Sequence, residues 1–232
     1  MSTRNETSAQ PSRREKERLA RRQLIVDAAL EVFARRGFHA AKLEEVAERA
    51  EFGKATLYSY FDTKEALFEA VLADAFELLL ARAEAAFAID GTFEQKLAAY
   101  VGGEISYFFE RPEGLHLMMS ESSHLRSANP LIRLMPRYIA VLRAAIEKEQ
   151  RARRIRRDLD AMELADVLRF MVFAQFYSRV HRIVEELGLV GDGYDEERIP
   201  DVMERIKSSD VEREIEHATT FITSVFLTGV AK

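Results

Sequence analysis

The sequence predicts an all-α protein of about nine helices. Apolar residues recur at the three- and four-residue spacing of a helix almost everywhere after residue 12, and no stretch keeps the alternation of a half-buried strand. Residues that typically begin and end helices interrupt this apolar pattern at intervals along the whole chain. The polar segment before it has no apolar periodicity, and we expect it to be a disordered tail.

Three helices are predicted in the N-terminal part. The first covers residues 15–36, and Gly37 follows it in the left-handed position that commonly ends a helix. A short second helix lies near residues 43–50 and a short third one near residues 54–60. Only residues 51–53 separate these two helices, which is the spacing of a helix-turn-helix.

The fourth and fifth helices have recognisable starts. Asp62 or Thr63 caps a long fourth helix that runs to about Phe87. Thr92 and Gln95 have capping-box spacing, and the fifth helix that they open ends at Glu110. The long fourth helix is therefore the predicted connection between the N-terminal helices and the rest of the chain.

The remaining four helices follow the same signals. Pro112 lies in the first turn of the sixth helix, and Asn129 with Pro130 opens the seventh. Asp160 caps the eighth helix, which Gly188 ends, and the ninth is predicted over residues 210–227. Residues 188–200 contain three glycines and a proline, so we predict a surface loop there.

Composition excludes several classes of protein. The 232 residues include no cysteine, which excludes disulfides and thiolate metal sites. No apolar run is long enough for a membrane span, and the N-terminus lacks the apolar core of a secretion signal, so we expect a cytoplasmic protein without membrane contact. The net charge is -5, yet residues 1–22 are basic, with seven lysines and arginines against three glutamates.

The third helix carries the chemistry of DNA recognition. Cationic and hydroxyl side chains are dense on this short segment, while Leu57 and Phe61, four residues apart, are expected to face inward. Such a helix fits a major groove, where lysine reads guanine, hydroxyls read several base edges and a methyl group contacts thymine. The predicted contacts on this helix are Lys54, Ala55, Thr56, Tyr58, Ser59 and Tyr60. For both tyrosines the alternative is a half-buried packing role.

Residues 20–68 resemble the DNA-binding domain of the TetR family. The resemblance depends on Phe33 and Gly37, Val46-Ala47, Thr56-Leu57-Tyr58 with Phe61, and Lys64-Glu65-Ala66-Leu67. It implies a tail over residues 1–14, a helix-turn-helix domain over 15–68, and a helical ligand-binding and dimerisation domain over 69–232. Near the helix starts, Lys42 and Lys64 are predicted phosphate contacts. The Arg-rich segment 13–22 is either a DNA-contacting arm or a solvated helix face.

The turn departs from the family pattern at two positions. Glu51 stands where the family usually has glycine, and a left-handed backbone there would cost a residue with a Cβ about 1 kcal/mol. Gly53 stands in place of the usual serine or threonine cap, at a cost of roughly a few tenths of a kcal/mol. Outside the turn, near the start of the second helix, Lys42 stands where the family frequently has threonine or serine. The turn over residues 51–53 is therefore expected to be distorted.

The C-terminal part contains no motif, so its role follows from the resemblance. The eighth and ninth helices are strongly apolar, and we expect them to form the contact of a homodimer. A pocket for a small hydrophobic or amphipathic ligand would lie among the fifth to eighth helices. The pocket candidates are Tyr100, Phe108, His116, Met119, Phe170, Phe173 and Tyr177.

The sequence favours a regulator over an enzyme. His116 and His124 lack the spacing of a metal site, and no serine is accompanied by the groups that a catalytic triad needs, so neither a metal, a cofactor nor catalytic residues are expected. The predicted function is a ligand-responsive repressor that binds a palindromic operator as a dimer. The alternatives are an activator, a DNA-binding protein without small-molecule control, and a helical ligand-binding module.

Overall fold

The computed structural model describes residues 12–120, 130–189 and 198–231, and every regular element in them is helical. The all-α prediction is confirmed. The described helices are α1 (Arg13–Ala40), α2 (Leu43–Arg49), α3 (Lys54–Tyr58), α4 (Lys64–Ala88), α5 (Phe93–Glu110), α6 (Pro112–Ser120), α7 (Pro130–Arg151), α8 (Ala161–Glu186), α9 (Ile199–Lys207) and α10 (Val211–Val230).

The chain forms two compact units that divide between Val71 and Leu72, inside α4. The first unit holds α1 to α3 and the first turns of α4. The second holds the remainder of α4 and α5 to α10. Within the described part of the chain, no helix has both the length and the apolar character needed to cross a membrane.

An aromatic cluster forms the core of the first unit. The rings of Phe33 and Phe68 meet edge to face with centroids 5.1 Å apart, and Phe38 lies 4.9 Å from Phe68. Gly37 adopts φ 71° and ψ 163°, a conformation open only to glycine, and so redirects the end of α1. This redirection places Phe38 back on the cluster. The straight part of α1 therefore stops at Gly37, as predicted, and residues 38–40 continue in a new direction after the kink.

The turn between α2 and α3 is a regular Schellman motif. The Phe52 N–H donates to the Ala47 carbonyl at 2.9 Å, and the Glu51 N–H donates to the Glu48 carbonyl at 3.1 Å. Glu51 has φ 58°, the left-handed conformation that the motif requires. The expected distortion is absent, because the backbone keeps the motif's hydrogen bonds and the strain falls on Glu51 alone.

The second unit is built around α5. This helix packs along α10 and also contacts α6, α8 and α9, so most of its length is buried. The Thr92–Gln95 capping box and the Asp160 cap form as predicted, and Thr63 is the residue that caps α4. Gly188 has φ 66° and ends α8 as predicted.

The structure differs from the sequence prediction at the start of α1 and by one additional helix. Helix α1 begins at Arg13 rather than Glu15, because Ser12 and Glu15 form a capping box. Helix α9 was not predicted, so the described residues contain ten helices rather than nine. Its buried Ile199, Val202 and Ile206 have helical spacing, and its proline lies in the first turn, where a missing N–H is tolerated.

The strained turn yields a stability prediction. Replacing Glu51 with glycine removes the left-handed penalty and adds some unfolded-state entropy, so we expect a net gain of about 0.5–1 kcal/mol in the free energy of unfolding. Urea unfolding followed by circular dichroism measures it. The matched control is Glu48→Gly, inside α2, which should lose roughly 0.5–1 kcal/mol. A loss of stability in both variants would contradict the strain at Glu51.

Candidate nucleic-acid interface and ligand cavities

Helix α3 is attached to the first unit by two apolar anchors. Leu57 is 0% exposed and Phe61, just after the helix, is 5% exposed. The predicted inward orientation of both residues is confirmed. Their burial turns the opposite side of α3 outward, where Lys54, Ala55 and Ser59 are exposed and the Tyr58 side chain is 46% exposed.

The exposed end of α3 carries an ion pair. The Lys54 ammonium lies 3.0 Å from the Glu44 carboxylate of α2, and both side chains are largely in solvent. The hydrogen bond from Lys54 lowers the pKa of the Glu44 carboxyl. Because exposed ion pairs contribute little stability, Lys54 can exchange this partner for another acceptor at small cost.

Two further predicted contacts lie beside α3 in different surroundings. Lys42 is exposed at the N-cap of α2, and its side chain makes no capping hydrogen bond. The Lys64 ammonium donates to the carbonyls of His39 and Ala41 at 3.0 and 3.2 Å, and lies 4.6 Å from the centroid of the Phe38 ring. Lys64 therefore holds the α1–α2 connection, with one N–H left for another acceptor.

The remaining predicted contacts of α3 are partly covered. Thr56 and Tyr60 are half-buried, and the Thr56 carbonyl accepts a 2.6 Å hydrogen bond from the Ser59 hydroxyl.

Two arginines of the Arg-rich segment lie over aromatic rings of this region. The Arg18 guanidinium lies 6.0 Å from the centroid of the Tyr60 ring, and the Arg22 guanidinium lies 5.1 Å from the centroid of the Phe61 ring. The Arg-rich segment is thus the exposed first part of α1, which favours the helix-face alternative over an arm.

Residues 25–71 match the family model described as bacterial regulatory proteins of the tetR family. The regulator RutR of Escherichia coli is 44% identical over 62 residues, which are 27% of this chain and 29% of RutR. The repressor KstR of Mycolicibacterium smegmatis is 38% identical over 82 residues, 35% of this chain and 40% of KstR. Over residues 25–71 the chain is therefore similar to the N-terminal domain of TetR-family regulators. The whole chain spans less than two thirds of the length of either relative.

Solved structures with a similar fold cover nearly the whole chain. FadR of Bacillus subtilis, solved in complex with stearoyl-CoA, superposes with a TM-score of 0.60 at 19% identity, covering 87% of this chain and 97% of FadR. FadR of Bacillus halodurans gives 0.65 at 14%, covering 88% and 94%. The family model and the two sequence relatives are described as regulators rather than enzymes, in agreement with the expectation that the chain is not an enzyme.

An apolar groove of about 360 Å³ lies between α6, α8 and α9 in the second unit. Two predicted pocket residues, His116 and Tyr177, line it together with Phe176, Val180 and Val202. The walls are mostly aliphatic and aromatic, and the polar side chains among them are His116, Tyr177 and His181. The groove therefore suits an apolar body with little charge.

A smaller cavity of about 90 Å³ holds another part of the predicted set. Phe108 and Phe173 line it, and Leu115 borders both this cavity and the groove. Tyr100 lies behind it, fully buried, with its hydroxyl 2.8 Å from that of Tyr138. The predicted residues are thus distributed over two spaces rather than one.

Two predicted pocket residues stand apart from both spaces. Phe170 is 56% exposed on α8, and the Arg169 guanidinium stacks over its ring at 4.1 Å. The side chain of Met119 lies outside the described residues, as does His124. Within the described part of the chain, no three His, Asp or Glu side chains converge as a metal ion would require.

Sequence reasoning missed the most unusual group in the second unit. Glu104 is 3% exposed and lines the smaller cavity. Burial raises the pKa of its carboxyl to about 8, against the opposing effects of a hydrogen bond with Tyr138 and the charge of Arg82. Its position offered a signal, because an acid four residues from both Tyr100 and Phe108 lies on the same helical face as these apolar residues.

Glu104 predicts a specific dependence of stability on pH. The folded protein retains the Glu104 proton up to about pH 8, whereas the unfolded chain releases it near 4.5. The neutral carboxyl therefore contributes fully to the free energy of unfolding below pH 4.5, and this contribution is lost as the pH rises through 8. Glu104→Gln should remove this decline in stability, which is on the order of a few kcal/mol. Urea unfolding from pH 4.5 to 9 measures this decline.

The control for this pH profile is Glu94→Gln, the same chemical change at an exposed position of α5. It should decline with pH as the parent does. Superimposable profiles for the parent and Glu104→Gln would contradict the raised pKa.

Proposed function

We propose that the chain is a transcriptional regulator that binds a palindromic DNA operator as a homodimer, with α3 of each subunit in a major groove. One observation carries the proposal. In a domain that matches the TetR-family model, the polar side of α3 is exposed while Leu57 and Phe61 are buried. Two-fold symmetry would place the half-sites about one helical turn, roughly 34 Å, apart.

The side chains of α3 suit separate parts of the DNA. Lys54 reaches guanine acceptors once released from Glu44, Ala55 contacts a thymine methyl group, and Ser59 with Thr56 reads polar base edges. The hydroxyls of Tyr58 and Tyr60 donate to phosphate oxygens. At the flanks, Lys42 and the third N–H of Lys64 add phosphate contacts that position α3 without reading sequence.

An exposed apolar stripe on the second unit supports the homodimer. Val167, Phe170 and Tyr177 are about half exposed on α8, as are Phe221 and Val225 on α10. Within each helix these residues recur at three, four or seven positions, so they share a face. Large apolar side chains concentrated on neighbouring helices are typical of a surface that a second subunit covers.

Repression released by a small ligand is the proposed mode of control. The apolar groove of α6, α8 and α9 suits a hydrophobic or amphipathic compound, and FadR, which shares the fold, was solved with stearoyl-CoA. Helix α4 begins in the first unit and ends in the second, so it is the continuous connection between them. A coupling of about 1–3 kcal/mol would weaken operator binding roughly 5- to 150-fold.

The DNA-binding proposal is tested at Lys54 and Tyr58. With an operator selected from random DNA, fluorescence anisotropy should show that Lys54→Ala and Tyr58→Phe each bind several-fold or more weakly, since each lost contact contributes about 1–3 kcal/mol. Lys148→Ala, an exposed lysine on α7, is the matched control and should bind like the parent.

Glu44→Gln separates loss of the ion pair from loss of the DNA contact. It removes the partner of Lys54 while keeping the lysine, so operator affinity should stay equal or increase. If Lys54→Ala and Tyr58→Phe both bind like the parent, α3 is not the recognition helix.

The homodimer is tested at Phe221. Light scattering should give twice the 26.6 kDa chain mass for the parent and the mass of one chain for Phe221→Asp, because burying unpaired charges from both subunits opposes association. Ile89→Asp places the same charge at an exposed apolar residue that belongs to neither α8 nor α10, and this variant should remain dimeric. A dimeric Phe221→Asp would contradict the proposed interface.

A further inference from the structure

The smaller cavity of the second unit contains two polar atoms without partners. Oε1 of Glu104 and Nε of Arg169 are both buried, and neither has a hydrogen-bond partner in the described structure. Both residues line the same 90 Å³ space, from α5 and α8 respectively. A buried polar group without a partner costs free energy, so this pair marks a place where a further hydrogen-bonding molecule would be stabilised.

The hydrogen bonds behind the cavity determine what Glu104 presents to it. The hydroxyls of Tyr100 and Tyr138 are 2.8 Å apart, and Tyr138 is also hydrogen-bonded to the Glu104 carboxyl. If Tyr100 donates to Tyr138 and Tyr138 donates to Glu104, both hydroxyl protons have acceptors. In the opposite direction the Tyr100 proton would have none. The first direction leaves the carboxyl proton of neutral Glu104 on Oε1, as a donor toward the cavity.

We infer that this cavity binds a small carboxylic acid as its carboxylate, which accepts hydrogen bonds from the Glu104 carboxyl and the Arg169 guanidinium. Any effect of such a carboxylate on DNA binding rests on the proposed ligand response. The binding itself requires only the cavity.

The charges around the cavity favour an anion over an amine. Arg169 lines the cavity and Arg82 acts on Glu104 from α4, while burial keeps Glu104 neutral at pH 7. Asp166 lies 3.3 Å from the Nη2 atom of Arg169 and leaves its Nε free. The tyrosine hydroxyls are uncharged. A carboxylate therefore meets one cation and two N–H or O–H donors, whereas an ammonium group would face Arg169 without an anionic partner.

The other walls limit the rest of the ligand. Apolar side chains of α4, α5, α6, α7 and α8 complete the cavity, including Phe76, Leu79, Phe108, Met135 and Val172. A volume of about 90 Å³ corresponds to a few water molecules. The body of the ligand is therefore a short alkyl group, and butyrate is a suitable probe.

The test is calorimetric titration of the full-length protein with butyrate, 1-butanol and butylamine, which share an alkyl group. Butyrate should bind at pH 6.5, and the other two should bind at least tenfold more weakly. Because binding needs the Glu104 proton, the Kd for butyrate should rise about tenfold for each pH unit above 8. Absence of butyrate binding at millimolar concentration, or stronger binding of butylamine with rising pH, would overturn the inference.

Two variants locate the binding. Arg169→Met should weaken butyrate binding at least tenfold, whereas Arg182→Met, an exposed arginine on the same helix, should leave it unchanged. Glu104→Gln keeps an N–H donor in place of the acid proton, so it should bind butyrate at pH 6.5 and lose the pH dependence. An unchanged Kd in Arg169→Met, or a pH dependence that persists in Glu104→Gln, would overturn the assignment.

Operator binding separates this inference from the proposed function. If butyrate binds as expected but leaves operator affinity unchanged, the ligand response through this cavity is wrong and the carboxylate site stands. If butyrate does not bind while another class of compound weakens operator binding, the carboxylate site is wrong and the ligand-responsive regulator stands.

Discussion

The candidate DNA-reading surface depends on the burial of Leu57 and Phe61. Helix α3 has five residues, far fewer than an isolated helix needs to be stable in water, so its conformation comes from packing rather than from its own hydrogen bonds. The two anchors fix both the presence of the helix and the direction of its polar side. Every contact proposed for α3, from Lys54 to Tyr60, follows from this orientation.

The backbone around α3 supports the anchors at two points. Gly37 adopts a conformation closed to other residues and returns Phe38 to the aromatic cluster, while Glu51 accepts left-handed strain to complete the Schellman motif before α3. Lys64 connects the same region from α4 through two backbone carbonyls. The strain at Glu51 persists because these surrounding contacts determine the course of the chain.

The second unit tolerates polar groups in its interior where they can be paired. Tyr100, Tyr138 and Glu104 form a connected chain of hydrogen bonds between α5 and α7, and burial maintains Glu104 as a neutral acid at pH 7. Both tyrosine hydroxyl protons in this network have acceptors, whereas the Glu104 carboxyl proton has none among the described residues. The carboxyl oxygen and the Arg169 nitrogen that remain unpartnered distinguish the smaller cavity from the apolar groove beside it.

The sequence by itself determined the helical class, the glycine stops at Gly37 and Gly188, most helix caps, and the inward orientation of Leu57 and Phe61, because these depend on local spacing and backbone preference. Only the tertiary structure decided that the predicted pocket residues lie in two spaces, that Lys64 binds backbone carbonyls, and that Glu104 is buried beside Arg169. Each of these contacts joins residues from different helices, and their packing is not encoded in the periodicity of any single segment.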